Sequence, residues 1–451
     1  MHLDAVAARR TQAGAPVVHG IHLLLWALNE LASALPGSPP LRKLRARFGK
    51  FIYVGETAEA SLTEHTERAA KLVITVDATP VAQIAVEFGD PVPSPQAPLG
   101  ELPLLALTPI PADIDFAVIA DRSGRLPFAT PPGQIASMFP AAAAWVTPQR
   151  VAALAATTNL VGMVCPGLHS LFSSLTVQTC RDAYDEDSLR FRVTSADPRF
   201  RQVRIAVEGG GLTGSLDTFA RVPPAAQATM ASLVNAADPA EFTGSSALII
   251  GGSRGIGELT AKRIAAGGGH VTITYQLGKS DADKIAHEII SSGGLCNSMH
   301  YDVRQPAAAQ LENLSDTPTH LYYFATPAIF GRQSEFFSQR RFEEFLAIYV
   351  DGFLQLLQAL RRRRPDLSVF YPSSVAVAER PRGMTEYAMA KAAGEILCAD
   401  MNESLAPLRV LVNRLPRMQT DQTATFMPTE TASILETVLP LIRQVQAYPV
   451  R

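Results

Sequence analysis

Cysteine is scarce in this chain: four residues in 451, at Cys165, Cys180, Cys296 and Cys398. They lie far apart, which excludes a disulfide framework or a metal-type pair and leaves reduced thiols in a cytoplasmic protein. An excess of charge is also missing. The 40 Lys and Arg stand against 42 Asp and Glu, a formal net charge of −2. There is no basic surplus for nucleic acid and no acidic tail. Long apolar runs are absent too. None spans a bilayer, and the first twenty residues, which hold Asp4, Arg9, Arg10 and His19, contain no continuous apolar stretch of a signal peptide. What is present is 47% apolar residues against 18% charged, enough for two or three globular domains with sizeable cores.

Periodicity divides the chain into three expected domains, residues 1–110, 111–235 and 240–451. In the first, Ile21, Leu24, Leu25, Leu28, Leu31 and Leu35 keep the three-four spacing of a buried helix face over 20–35. Leu72, Ile74 and Val76, then Ile84, Val86 and Phe88, alternate as strands do. The proline-rich run 91–98 reads as a linker. The second block has a mainly helical pattern over 151–175, broken at Pro166-Gly167, followed by alternating Leu189, Phe191, Val193 and Val203, Ile205, Val207. Pro16-Val17-Val18-His19-Gly20 and Pro166-Gly167-Leu168-His169-Ser170 match locally, each read as opening a helix, and hint at an internal duplication. In the third block, strands near 247–250, 270–275, 295–301, 320–325 and 368–372 alternate with helices. That is the signature of right-handed crossovers and a doubly wound parallel sheet.

Two motifs in the third block carry chemistry. Ala247-Leu248-Ile249-Ile250 runs into Gly251-Gly252-Ser253-Arg254-Gly255-Ile256-Gly257 and then a helix. Glycines remove side chains where a backbone must approach a pyrophosphate, and the following helix N-terminus offers free N–H groups. The spacing is G-x3-G-x-G, not the dehydrogenase G-x-G-x-x-G. Further on, Tyr387-Ala388-Met389-Ala390-Lys391 sets a phenol and an ammonium one helical turn apart.

With these residues in hand, 245–425 resembles a short-chain dehydrogenase/reductase. The glycine run is similar to that family's TGxxxGIG turn, Asp302-Val303 to the pair that holds adenine, and Tyr387 with Lys391 to its YxxxK. Ser374, thirteen residues before Tyr387, corresponds to the catalytic serine. Val412-Asn413, Pro416 and Thr420 are similar to the segment closing over nicotinamide. The resemblance implies a Rossmann-like fold and cofactor contacts from Gly251, Ser253, Arg254, Gly255, Ile256, Gly257, Asp302, Val303, Ala325, Tyr387, Lys391 and Thr420. It implies a proton donor in Tyr387, its phenol acidified by Lys391, and an oxyanion donor in Ser374. The second strand ends at Tyr275-Gln276 with no acid for a ribose hydroxyl, while Arg254 lies in the turn and Lys279 just behind the strand. A cation there favours a 2′-phosphate, hence NADPH; Lys279 reads equally as a solvated charge. The sequence departs from the family in three places. Tyr323-Phe324-Ala325-Thr326 replaces Asn-Asn-Ala-Gly. Tyr349 stands where the relay asparagine is usual, so a water held by its hydroxyl and a different relay both stay open. No clear last strand follows the 435–445 helix, which bears on the family's tetramer packing.

Met1-His2-Leu3-Asp4, Pro16-Val17-Val18-His19-Gly20 and Tyr53-Val54-Gly55-Glu56 resemble MaoC-like hydratases of the hot-dog fold. In that resemblance His2 corresponds to the catalytic histidine, and the Gly20 N–H to the group that polarises the thioester carbonyl. The family's aspartate would fall five residues before His2, ahead of the sequence, so a start upstream and a truncated half kept for packing or binding both stay open. His22 and His169 read as structural, Asp4 as structural or capping.

The expectation is therefore a double hot-dog α+β region joined to a Rossmann-like α/β domain. Its activity would be NADPH-dependent reduction of a 3-oxoacyl thioester, on CoA or an acyl carrier protein, with dehydration by the first half if that half is active. No metal, nucleic-acid or membrane partner is expected, and a homodimer is left open. A reductase with an inert hot-dog scaffold and a non-catalytic NADP-binding sensor are the alternatives.

Overall fold

The computed structural model describes all residues except 1, 3, 12, 94–98, 182–186, 224–225, 331–335, 424–429 and 448–451. The chain forms two compact units. The first gathers Met1–Asp4 and Ala15–Pro223; the second gathers Ala5–Gly14, Pro224–Ala424 and the chain from Thr429 on. Among the described residues no helix is long and apolar enough to cross a membrane.

The first unit is built on nine strands: β1 (Leu41–Phe48), β2 (Glu59–His65), β3 (Ala69–Val76), β4 (Thr79–Phe88), β5 (Ser123–Pro127), β6 (Ser170–Thr179), β7 (Ser188–Asp197), β8 (Gln202–Gly209) and β9 (Leu212–Ala220). They form one antiparallel sheet in the order β2-β3-β4-β1-β6-β9-β8-β7-β5. Outward from the β1–β6 junction the first half runs 1-4-3-2 and the second half 6-9-8-7, the same order twice. Each half is also led by a helix, Gly20–Ala34 before β1 and Pro148–Asn159 before β6. The regions expected as separate domains on either side of residue 110 thus share a sheet through the pairing of β1 with β6.

The Gly20–Ala34 helix buries Ile21, Leu23, Leu24, Leu25, Ala27, Leu28 and Leu31. That is more than one stripe, as a helix enclosed by its sheet requires. Leu35-Pro36-Gly37 ends it, because proline cannot continue the ladder. Asn29, on its more polar side, accepts the Ala141 N–H at 3.0 Å and so caps the Pro140–Val146 helix.

Two expectations are corrected. The helical pattern over 151–175 holds only through the Pro148–Asn159 helix and a π-turn at Leu160–Val164. Beyond Pro166-Gly167 the backbone groups pair with β1 and β9 instead, and Leu175, Val177 and Thr179 are buried at alternate positions. His169 therefore precedes a strand whereas His19 precedes a helix, so the local match between them does not join equivalent elements; the duplication shows in the strand order. Of the proline-rich run, Val92 bridges to Cys180, and 94–98 lie outside the described residues.

In the second unit β10 (Ser246–Ile250), β11 (His270–Tyr275), β12 (Leu295–His300), β13 (His320–Tyr323), β14 (Ser368–Ser374) and β15 (Arg409–Leu415) form a parallel sheet ordered β12-β11-β10-β13-β14-β15. The order reverses between β10 and β13, and in open α/β sheets that crevice is where ligands bind. β15 escaped the sequence reading because it is an edge strand whose Arg409, Asn413 and Arg414 interrupt its apolar residues. The core of this unit begins ahead of the boundary drawn at 240: Met230 and Leu233 are buried in it.

Ile249, fully buried on the central strand β10, packs beneath the glycine turn. Ile249→Ala is expected to destabilise the protein by about 2–5 kcal/mol. A lowered urea midpoint would register this, and an unchanged midpoint would contradict the packing described.

Candidate active site

A cavity of about 640 Å³ opens at the carboxyl ends of β10, β13 and β14; Ser374 and every cofactor-contact residue expected from the C-terminal resemblance line it, as does Pro416, whereas Val412 and Asn413 are not among the lining residues. His2 belongs to the first unit and is not among the lining residues.

The glycine turn is shaped by close contact. Gly251 has φ +78° and sits against the Phe324 carbonyl, where a Cβ would meet its oxygen at 3.0 Å. A Cβ on Gly257 would overlap the Gly251 carbonyl oxygen. Only bare backbone fits, and the first turn of the Gly255–Ala266 helix faces the cavity with N–H groups that no helix can satisfy internally. Thr274 on β11 pins the turn: its hydroxyl accepts the Gly251 N–H and its carbonyl accepts the Gly252 N–H, each at 3.1 Å. This cradle fits a pyrophosphate.

Asp302 lines the cavity. Its carboxylate accepts the Arg304 N–H at 3.0 Å and the Gln276 amide at 3.1 Å, and Gln310 braces its backbone N–H and carbonyl at 2.8 and 2.9 Å. Gln276 therefore joins the second and third strand ends without adding charge. On the opposite side Thr420 is fixed by Thr423, whose hydroxyl accepts the Thr420 N–H at 2.9 Å. Lys279 does not face the cavity. It is exposed and paired with Asp283 at 2.6 Å, so the solvated reading of this residue is the correct one. Arg254 lines the cavity, but its guanidinium is directed to the Arg9 carbonyl and to Asp421, the latter at 3.4 Å.

Ser374 ends β14, and Tyr387 and Lys391 share one face of the Thr385–Ser404 helix. Burial pushes the Tyr387 phenol above its ordinary value, and its hydrogen bond with Ser374 opposes the rise. Lys391 is buried. Its ammonium donates to the Pro372 carbonyl at 2.7 Å and lies 3.8 Å from the centre of the Tyr349 ring. Burial lowers it to about 7, with Cys398 and Glu395 acting the other way. The sequence reading expected Lys391 to acidify the phenol. Here the phenol stands above its usual range instead, because desolvation dominates both groups and the ammonium's bonds go to Pro372 and Tyr349.

Tyr349 sits in a π-helical turn, Ala347–Gly352. Such turns loosen the carbonyl ladder, and two tyrosines use the freed groups: Tyr323 donates to the Ile348 carbonyl at 2.6 Å and Tyr371 to the Tyr349 carbonyl at 2.9 Å. The Tyr349 hydroxyl is bonded at 2.6 Å to Thr326, which is exposed. The Tyr323-Phe324-Ala325-Thr326 departure and the Tyr349 departure are thus one packing unit. Tyr323 and Tyr349 in the replaced positions support each other, and Thr326 carries the hydroxyl contact outward.

In the first unit the His2 Nδ1 is 2.6 Å from the Val17 carbonyl, and its ring stacks on His19 at 3.4 Å. A carbonyl only accepts, so Nδ1 carries the proton and Nε2 keeps its lone pair. Burial lowers both histidines, His19 to about 4. His19 leads directly into Gly20, whose Cβ would press on the Phe48 ring at 3.0 Å. His2 and the Gly20 helix start therefore lie together. His169 is 3.4 Å from Asp113.

The sequence reading missed Thr274, Gln276, Gln310, Thr423 and Arg9 as parts of the site. A serine or threonine three residues from Thr420 is a turn signal that could have found Thr423; no local pattern announces the others.

Residues 245–432 match the family model described as short chain dehydrogenase. No curated protein matches the chain. Solved structures do. A 3-oxoacyl (acyl-carrier-protein) reductase from Agrobacterium tumefaciens with NADP bound is 21% identical, with 40% of this chain and 73% of that one covered and a TM-score of 0.37. An alcohol dehydrogenase from the archaeon Thermococcus sibiricus, complexed with 5-hydroxy-NADP, is 21% identical, covering 46% and 93% at a TM-score of 0.40. An alternative dihydrofolate reductase 1, FolM, from Brucella suis in complex with NADP is 19% identical, covering 39% and 73% at 0.35. The family match leaves the residues before 245 outside it, and the region from 245 to 432 is a short-chain dehydrogenase/reductase domain.

Proposed function

We propose that the chain is an NADPH-dependent oxidoreductase that reduces a 3-oxoacyl thioester, on CoA or a carrier protein, to the 3-hydroxyacyl thioester. The observation that carries this reading is the shared cavity: Ser374, Tyr387 and Lys391 line it together with the bare Gly251–Gly257 turn. The turn would hold the pyrophosphate, Asp302 and Val303 the adenine, and Lys391 with Tyr387 the nicotinamide ribose. Once bound, the dinucleotide supplies the hydride that reduces the carbonyl carbon. Tyr387 gives its phenolic proton to the carbonyl oxygen, so the C=O double bond becomes a C–O single bond bearing an O–H. Ser374 donates a hydrogen bond to the same oxygen as its charge grows. Lys391, charged, stabilises the phenolate left behind.

The first unit is proposed as a double hot-dog region that dehydrates the 3-hydroxyacyl product to the enoyl thioester. The twice-repeated strand order around two helices supports it, as does His2 with Nε2 free of its proton beside the Gly20 helix start. His2 would take the proton at C2 of the thioester and pass it to the C3 hydroxyl, which leaves as water as the C3–O bond breaks and the C2=C3 double bond forms, and the Gly20 N–H would polarise the thioester carbonyl. A reductase sharing its chain with the enzyme that uses its product gains in local concentration.

Tyr387→Phe is expected to lower NADPH oxidation with acetoacetyl-CoA by roughly 100-fold or more while NADPH binding persists. Equal turnover by the variant, or no turnover by the wild type across a ketoacyl panel, contradicts the reductase reading. On the reduction side kcat/KM is expected to fall as pH rises through about 7. The charged Lys391 is the working form and loses its proton there, whereas the raised phenol stays protonated. A flat profile between pH 6 and 9 goes against that role for Lys391. Hydration of crotonyl-CoA by the wild type, cut roughly 100-fold by His2→Ala, is the outcome expected for the first unit; hydration absent from the wild type favours an inert scaffold.

A further inference from the structure

Ala5–Gly14 precedes the first unit in sequence, yet it packs within the second and lies outside the matched family region. Its arginines reach the turn that follows β11. Arg9 and Arg10 each bond one oxygen of Asp281, which is 5% exposed in the first turn of the Lys279–Ser291 helix. The Arg9 guanidinium crosses Gly278, where any Cβ would collide with it. Its side chain is 11% exposed and lines the cavity beside Gln276 and Leu277, and its buried Nε has no hydrogen-bond partner among the described residues.

The charges around that turn decide what it can take. The end of β11 carries Gln276, which is neutral and bonded to Asp302. Arg254 is paired with Asp421, and Lys279 with Asp283. Two arginines against the single carboxylate of Asp281 leave one positive charge in excess, lodged where ribose selectivity is set in this class of fold. A guanidinium presents a planar fork of donors that suits phosphate oxygens. A neutral ribose hydroxyl would leave the excess charge and the Nε unanswered.

Building on the dinucleotide reading above, we propose that Arg9 recognises the adenosine 2′-phosphate and fixes the preference for NADPH over NADH, with Asp281 and Arg10 as its positioning groups. The segment reaches across from outside the domain's own sequence to complete the cofactor site, a task the reading of the motif alone gave to Arg254.

The test is calorimetric titration of the full chain with adenosine 2′,5′-bisphosphate and with 5′-AMP. Wild type is expected to bind the bisphosphate more tightly. Arg9→Gln should weaken the bisphosphate by roughly tenfold or more and leave 5′-AMP within about twofold, which also reports an intact fold. Arg9→Lys should recover part of the loss, since it restores charge without the fork. Wild-type affinity for the bisphosphate in Arg9→Gln, or an equal loss for both nucleotides, overturns the proposal and leaves the dinucleotide reading standing. A wild type that binds neither nucleotide overturns both.

Discussion

The carbonyl oxygen of Gly251 and the Cα of Gly257 lie too close for a methyl group to pass between them, and the second unit depends on that contact. It forces the chain off β10 into a tight turn, starts the Gly255–Ala266 helix with its N–H groups toward the cavity, and keeps side chains out of the space where a pyrophosphate would lie. The fully buried strand beneath and Thr274 beside it hold the turn in place. Without that bare surface, Ser374, Tyr387 and Lys391 would face a cavity with nothing to position a reductant.

Burial is the second theme, and it acts on Tyr387 and Lys391 alike. Tyr349 lines the cavity, and Tyr323 and Tyr371, bonded to its π-turn, back it as an aromatic wall; all three are almost entirely buried. The same wall desolvates Lys391 until its ammonium stands near neutrality, held by one carbonyl and one ring face. A lysine so placed is sensitive to any charge that enters beside it, and a bound dinucleotide brings phosphate and ribose oxygens. The π-turn that would ordinarily offer a free carbonyl has its Ile348 and Tyr349 oxygens taken by tyrosine hydroxyls. The Tyr349 hydroxyl is bonded instead to the exposed Thr326, which ties the two departures from the family pattern into one local solution.

What the sequence revealed follows from how local the physics is. The glycine turn, the helix pairing of Tyr387 with Lys391 and five of the parallel strands rest on contacts within a few residues, and they were legible. The Gly20–Ala34 helix was legible from its spacing for the same reason. β15 was hidden because an edge strand needs no continuous apolar run. The 170–175 stretch was misread as helix because its pairing partners, β1 and β9, lie far away in sequence. The direction of the Lys391 and Tyr387 shifts follows from burial among elements distant in sequence, the Tyr349 turn among them, and no spacing encodes that. Arg9 is the extreme case: 272 residues separate it from Asp281, and its surroundings in sequence carry no motif at all.

The most direct measurement is transfer of a label. With NADPH deuterated at the hydride-donating carbon and acetoacetyl-CoA as substrate, the account predicts one deuterium at C3 of the 3-hydroxyacyl product by mass spectrometry, with the amount of labelled product cut roughly 100-fold or more when Tyr387 is changed to Phe. Product formed without deuterium, or no product with NADPH bound, would contradict a site in which Tyr387 protonates a carbonyl as hydride arrives.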